Sequence, residues 1–190
     1  MKKTLTLLTL LGLISSASAA SMTWTISSIK FDGATLKDNT SVSAYLLYLG
    51  NGGTLADSYT VSEIDSLTKV DSATGTTSKG AISSDYVFTK PESGDCTELN
   101  GNVYALLLSY TNEGKTFYNL GSATYTVAGM DEDGSTALAD YKPAASTFSY
   151  GTKSDSGPVT AGGGWVAVPE PSTAMLALAG LALLIKRRHA

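Results

Sequence analysis

The chain has 190 residues, a formal net charge of −4, one cysteine and one histidine, His189, beside its C-terminus. Without its two ends it carries eight basic and sixteen acidic residues, a formal −8. That surface repels DNA, RNA and anionic lipid, so no nucleic-acid partner is expected. A body without histidine also excludes Ser-His-Asp and Cys-His catalysis and most zinc sites.

The first nineteen residues read as a signal helix. Lys2 and Lys3 form a positive start, Leu5 to Ile14 an apolar stretch, and Ala17-Ser18-Ala19 the small residues that a signal peptidase requires. Cleavage is expected after Ala19, with Ala20 as the alternative. Ten apolar residues make only about 15 Å of helix, half the thickness of a bilayer core, so a retained anchor is not expected here.

Residues 20–150 read as one all-β domain, because short β-rich runs recur between Gly, Asn, Asp and Ser clusters. Trp24 to Phe31 begins with Trp24 and Ile26 on one face. Ile29 and Phe31 fall on the other, which predicts a bulge or bend at Ser27-Ser28. Val42 to Leu49 and Val103 to Tyr110 are near-continuous apolar runs that suit buried central strands. Tyr86–Phe88, Thr116–Leu120, Ala123–Val127, Thr147–Tyr150 and Trp165–Val168 complete a set of seven or eight strands. The expected architecture is a single β-sandwich, immunoglobulin-like or jelly-roll-like. Asn51-Gly52-Gly53 and Asn112-Glu113-Gly114 are turn signals. Each follows a similar strand, which suggests two related hairpins. Helix is expected only within Ser62 to Val70, with Ile64 and Leu67 on one side. Residues 151–168 read as a Gly-rich connection that can carry a last strand.

Few residues of the body suggest chemistry. Cys96 stands alone, so no internal disulfide forms, and the adjacent Asp95 disfavours a reactive thiolate. Asp131, Asp133 and Asp140 fit a calcium-loop frame in part, with Gly134 at its sixth position and Ser135 at its seventh. The first position would be Gly129, which has no carboxylate, so an acidic solvated turn is the better reading and no metal or cofactor is expected. Ten tyrosines and two tryptophans invite a sugar-binding reading, yet most lie in strand patterns where aromatic residues serve packing. A glycosidase would need two facing carboxylates, and no acidic residue sits in an informative context.

The final segment carries the most specific pattern. Val168-Pro169-Glu170-Pro171 precedes an apolar run from Ala174 to Ile185, closed by Lys186-Arg187-Arg188. Pro171 to Ile185 makes only about 22 Å of helix, short for a span, but snorkelling cations extend its reach. Cations stay on the cytoplasmic side, so Lys186, Arg187 and Arg188 are expected inside and the Pro-Glu-Pro segment outside. Lys2 and Lys3 fall inside by the same rule. The prolines disfavour helix before the membrane and hold the segment extended, as a protease or transpeptidase requires.

This arrangement over 169–190, led by Val168, resembles the PEP-CTERM sorting signal of exported bacterial proteins. The resemblance implies handling by signal peptidase and the Sec machinery, a short transmembrane helix as a transient anchor, and processing by a membrane-embedded exosortase. The catalytic cysteine belongs to that enzyme. The expected product is a non-enzymatic cell-surface or extracellular-matrix protein. A glycan-binding adhesin that recognises envelope polysaccharide is the alternative, and a small carboxylate-dependent glycoside hydrolase comes third.

Overall fold

Strand dominates the computed structural model, which describes residues 21–37, 40–76, 81–88, 96–130, 148 and 151–169. The described strands are β1 (Ser21–Ile26), β2 (Lys30–Phe31), β3 (Ala34–Thr35), β4 (Ser41–Asn51), β5 (Ser58–Tyr59) and β6 (Thr68–Thr76). They continue with β7 (Ile82–Val87), β8 (Asn102–Asn112), β9 (Lys115–Thr126), β10 (Lys153–Ser154), β11 (Val159–Thr160) and β12 (Trp165–Ala167). The helix α1 (Val61–Ser66) and a 3-10 turn at Thr97–Leu99 are the described helical elements. Five of the strands have only two residues, too short to register as sequence periodicity.

Six strands form the main sheet in the order β10-β12-β9-β8-β4-β6. All its pairs are antiparallel except β10 with β12. Its centre is β8, where Val103 to Leu108 are all buried. The continuous apolar run arises because successive side chains point to opposite faces and both faces are covered. Tyr104, Leu106 and Leu108 enter one core, with Met22, Trp24 and Ile26 of the β1–β7 ribbon packed over them. Ala105 and Leu107 enter a second core beneath α1, together with Ile64, Leu120, Val159 and Val166.

The bend expected at Ser27-Ser28 is present. Ser28 takes a φ of 58° and resets the strand, so that Ile29 and Phe31 enter the core already occupied by Trp24 and Ile26. The turn at Asn112-Glu113-Gly114 joins β8 to β9. Glu113 and Gly114 have φ of 51° and 80°, the two left-handed residues of a type I′ hairpin.

Several expectations are corrected. β4 does not form a matching hairpin after Asn51: the following strand, β5, pairs with β11, while β4 lies between β6 and β8. The sequence similarity of β4 and β8 reflects two adjacent central strands, not two hairpins. The helix stops at Ser66, and Thr68–Thr76 instead forms the edge strand β6. An edge strand needs little apolar patterning, which is why its Thr, Ser and Asp content concealed it. The runs at Thr116–Leu120 and Ala123–Val127 belong to one strand, β9, with a register shift opposite Ala105/Leu107. Gly121 interrupts the pattern because a Cβ there would lie 3.1 Å from the Phe148 ring and 3.3 Å from the Leu106 carbonyl oxygen.

In residues 151–168 the last strand expected at Trp165–Val168 is present as β12 with Trp165 fully buried, while the Gly-rich stretch before it, expected as a connection, also carries β10 and β11. Of Thr147–Tyr150 only Phe148 is described, and it is buried. The expected signal helix, the acidic frame at 131–140 and the expected transmembrane helix lie outside the described residues. Among the described residues, no helix is long and apolar enough to cross a membrane.

Candidate functional site

The last strand of the body connects directly to the segment singled out in the sequence. Val166 and Ala167 pair with Tyr118 and Phe117 of β9, while Trp165 and Val166 pair with Lys153 and Ser154 of β10. The Trp165 amide donates to the Thr152 carbonyl at 2.8 Å, and its indole N–H donates to the Lys30 carbonyl at 2.8 Å. Its ring lies among Phe31 and Tyr110, with centroids 5.6 and 6.1 Å away. Strand pairing extends one residue further: the Val168 amide donates to the Thr116 carbonyl at 2.7 Å. Pro169 follows and is exposed. With no N–H, it cannot donate a further bond to the ladder.

The sorting segment therefore starts where the sheet stops. Val168 and Pro169 are placed by the structure. Glu170, Pro171, Lys186, Arg187 and Arg188 lie outside the described residues, as do Ala17, Ala19 and Ala20 at the signal cleavage site. Around Val168 are the β8–β9 turn and the tip of β10. The Lys115 ammonium lies 3.4 Å from the Asp155 carboxylate, and Lys153 lies 3.0 Å from Asp32. These neighbours were not legible in the sequence, because pairing across about fifty residues leaves no local pattern. The Asp32-Gly33 turn did carry a hairpin signal, and its φ values of 51° and 81° fit one.

The other sequence candidates resolve differently. Asp131, Asp133 and Asp140 lie outside the described residues, among which no group of three or more His, Cys, Asp or Glu side chains gathers. Cys96 is buried and in no disulfide. Several described carboxylates serve the fold: Asp71 accepts from the Trp24 indole at 2.8 Å, Asp65 from the Tyr118 hydroxyl at 2.8 Å, and Asp85 from the Thr23 hydroxyl. Glu63 closes a capping box with Thr60 at the start of α1.

The aromatic residues mostly pack. At the end of the sheet opposite Val168, a cavity of about 220 Å³ is lined by Tyr48, Val70, Tyr86, Phe88, Leu99, Asn102 and Tyr104. Phe88 and Tyr104 are buried, and only Tyr48 and Tyr86 present half-exposed rings there. The Tyr48 hydroxyl donates to the Asn102 amide oxygen at 3.2 Å. Burial raises the pKa of the Tyr104 phenol, as does the nearby Tyr86; burial and then the Asp71 charge raise that of Tyr86. Both phenols are protonated at neutral pH and cannot act as bases. A second, open cavity of about 280 Å³, lined by Tyr45 and Lys69 to Ser72, contains one carboxylate, Asp71. Neither cavity supplies the carboxylate pair that glycoside hydrolysis needs.

No curated protein and no solved structure matches the chain. The segment that leaves the sheet at Val168 is a sorting signal: a family model described as the PEP-CTERM protein-sorting motif matches residues 167–188.

Proposed function

We propose that this chain is an exported surface or matrix protein with a non-enzymatic structural or interaction body. The body is a β-sandwich of immunoglobulin-like or jelly-roll-like type, held briefly in the membrane by the tail and then processed by an exosortase. One observation carries this reading: the motif match begins at Ala167, the last residue of the last strand. The folded body thus ends at the sorting address. Processing breaks one peptide bond near Pro169–Pro171. The acyl group on the body passes to water or an envelope amine, and the tail departs with a new amino terminus.

The absence of histidine from the body and the structural roles of Asp65, Asp71 and Asp85 support a non-enzymatic role. The same tail marks the chain for the cell envelope. Mass spectrometry of the mature protein should find the residues after Pro171 missing. An intact chain ending in Ala190, in a cell that contains an exosortase, overturns the processing.

A glycan-binding adhesin is the second reading, favoured by the Tyr48 and Tyr86 rings beside the Asn102 amide. Half-exposed phenol rings stack on sugar C–H faces, and an amide supplies directional hydrogen bonds. A glycan array separates the two readings. Saturable binding that is lost in both Tyr48→Ala and Tyr86→Ala would establish the adhesin.

A further inference from the structure

We propose that the end of the main sheet beside Val168 docks against the extracytoplasmic face of the exosortase, so that the enzyme reads body and motif together. The surface consists of the β8–β9 turn at Glu113–Lys115, the tip of β10 with Asp155, and Val168 itself. The inference rests on the processing proposed above. It concerns what the enzyme recognises, beyond the address that the motif supplies.

Three observations lead to it. First, no spacer separates body and signal. Ala167 is a buried strand residue and also the first residue of the motif match, and Val168 is bonded to Thr116. Six residues lead from Val168 to the apolar run at Ala174, at most about 20 Å of chain even when fully extended. An enzyme embedded in that membrane and acting on this motif must meet the end of the body.

Second, topology fixes which end it meets. β12 runs antiparallel to β9 and parallel to β10, so the start of β9, the end of β8 and the tip of β10 all lie beside Val168. The cavity lined by Tyr48 and Tyr104 sits at the other end of β8, an eleven-residue strand. Val168 is level with Thr111 through its bond to Thr116, so at about 3.4 Å per residue the cavity at Asn102 and Tyr104 lies roughly 25–30 Å away. The molecule thus has a sorting end and a distal end.

Third, the charges favour a protein over lipid. Lys115 is paired with Asp155 and Lys153 with Asp32, leaving the carboxylate of Glu113 exposed at the turn. A paired, slightly acidic surface on a body of formal −8 gains nothing from anionic headgroups. It does offer directional groups to a protein partner. The ladder bond at Val168 also fixes the backbone next to Pro169, which spares the enzyme part of the ordering cost of an extended substrate.

The test is the processing rate of the full chain in exosortase-containing membranes, followed by mass spectrometry. A flexible Gly/Ser spacer of about ten residues is inserted after Val168 and followed by a second Ala-Val, which leaves the peptide around Pro169 and its distance to the membrane unchanged. Near-ultraviolet circular dichroism of the buried Trp24 and Trp165 checks that the body is folded. We expect the spacer to slow processing about tenfold, the equivalent of ~1.4 kcal/mol. Glu113→Lys combined with Asp155→Lys, on the unspaced chain, should slow it several-fold. Processing of the spacer variant at or above the parental rate overturns the proposal, because the motif alone would then suffice. So does an unaltered rate in the charge-reversed variant. A parental chain that is never cut overturns the processing reading itself.

Discussion

The two faces of the main sheet are packed in different ways. One lies under the β1–β7 ribbon and is built from large rings: Trp24, Phe31, Phe88, Tyr104, Phe117, Tyr125 and Trp165. Phe31 alone meets Tyr110, Phe117 and Trp165 edge-on, at centroid distances of 5.0, 5.0 and 5.6 Å. The other face is smaller and mainly aliphatic, covered by the six-residue α1 and the two-residue β5 and β11. The comparison teaches where cohesion lies. A ribbon of paired strands brings many side chains to the sheet at once, whereas short elements bring one or two each and must be secured by caps and turns.

Truncation at the centre of the aromatic face should have the largest effect. Trp165→Ala removes the ring contacts and the indole bond to Lys30, and should cost about 3–5 kcal/mol in denaturant unfolding. Such a loss would also loosen the strand that carries the sorting signal. Ile64→Ala should cost less, about 2 kcal/mol, because a six-residue helix can settle into the space left behind. An equal cost for the two variants would break the contrast between the faces.

The cap comes next. The Thr60 amide donates to Glu63 Oε2 at 2.7 Å, its hydroxyl donates at 2.9 Å, and the Glu63 amide donates back to that hydroxyl at 3.3 Å. Thr60→Ala should cost about 1 kcal/mol. The bond from the Thr60 backbone, followed by that from its side chain, lowers the Glu63 pKa from 4.5. A lowered carboxyl pKa stabilises the fold above the unfolded value, and that contribution is lost as pH falls through the folded value. Stability curves across this range should show a shallower acid loss in Thr60→Ala than in the parent.

The smallest effect is expected at the aromatic face's rim. A hydrogen bond to Asp32, then its charge, raises the Lys153 pKa. That contribution is present below the ordinary lysine pKa and fades as pH rises through the raised value. The pair is solvent-screened, and Asn tolerates the left-handed φ of 51° at position 32. Asp32→Asn should therefore leave the neutral-pH unfolding midpoint within measurement scatter. A large shift would show that the rim contributes to cohesion as the buried rings do.

Much of this was legible in the chain. The apolar runs of β4 and β8 announced central strands, Asn112-Glu113-Gly114 announced its hairpin, and Ser27-Ser28 its bend. β6 was hidden by its polarity. The cap at Thr60 had a signal, Thr-x-x-Glu, that the apolar pattern of Ser62 to Val70 overshadowed. The setting of the candidate site was not legible, because Thr116, Lys115 and Asp155 meet the sorting end only through strand pairing.

The sequence by itself determined the address, the acidic character of the body and its commitment to strands. These depend on residue type, short spacing and alternation, which one stretch of chain carries alone. Only the tertiary structure decided that the Gly-rich stretch before the last strand is itself paired as β10 and β11, which partners Trp165 meets in the core, and which end of the sheet faces the sorting signal. Those depend on backbone hydrogen bonds and buried contacts between segments as far apart as Lys30 and Trp165, and no local pattern encodes them.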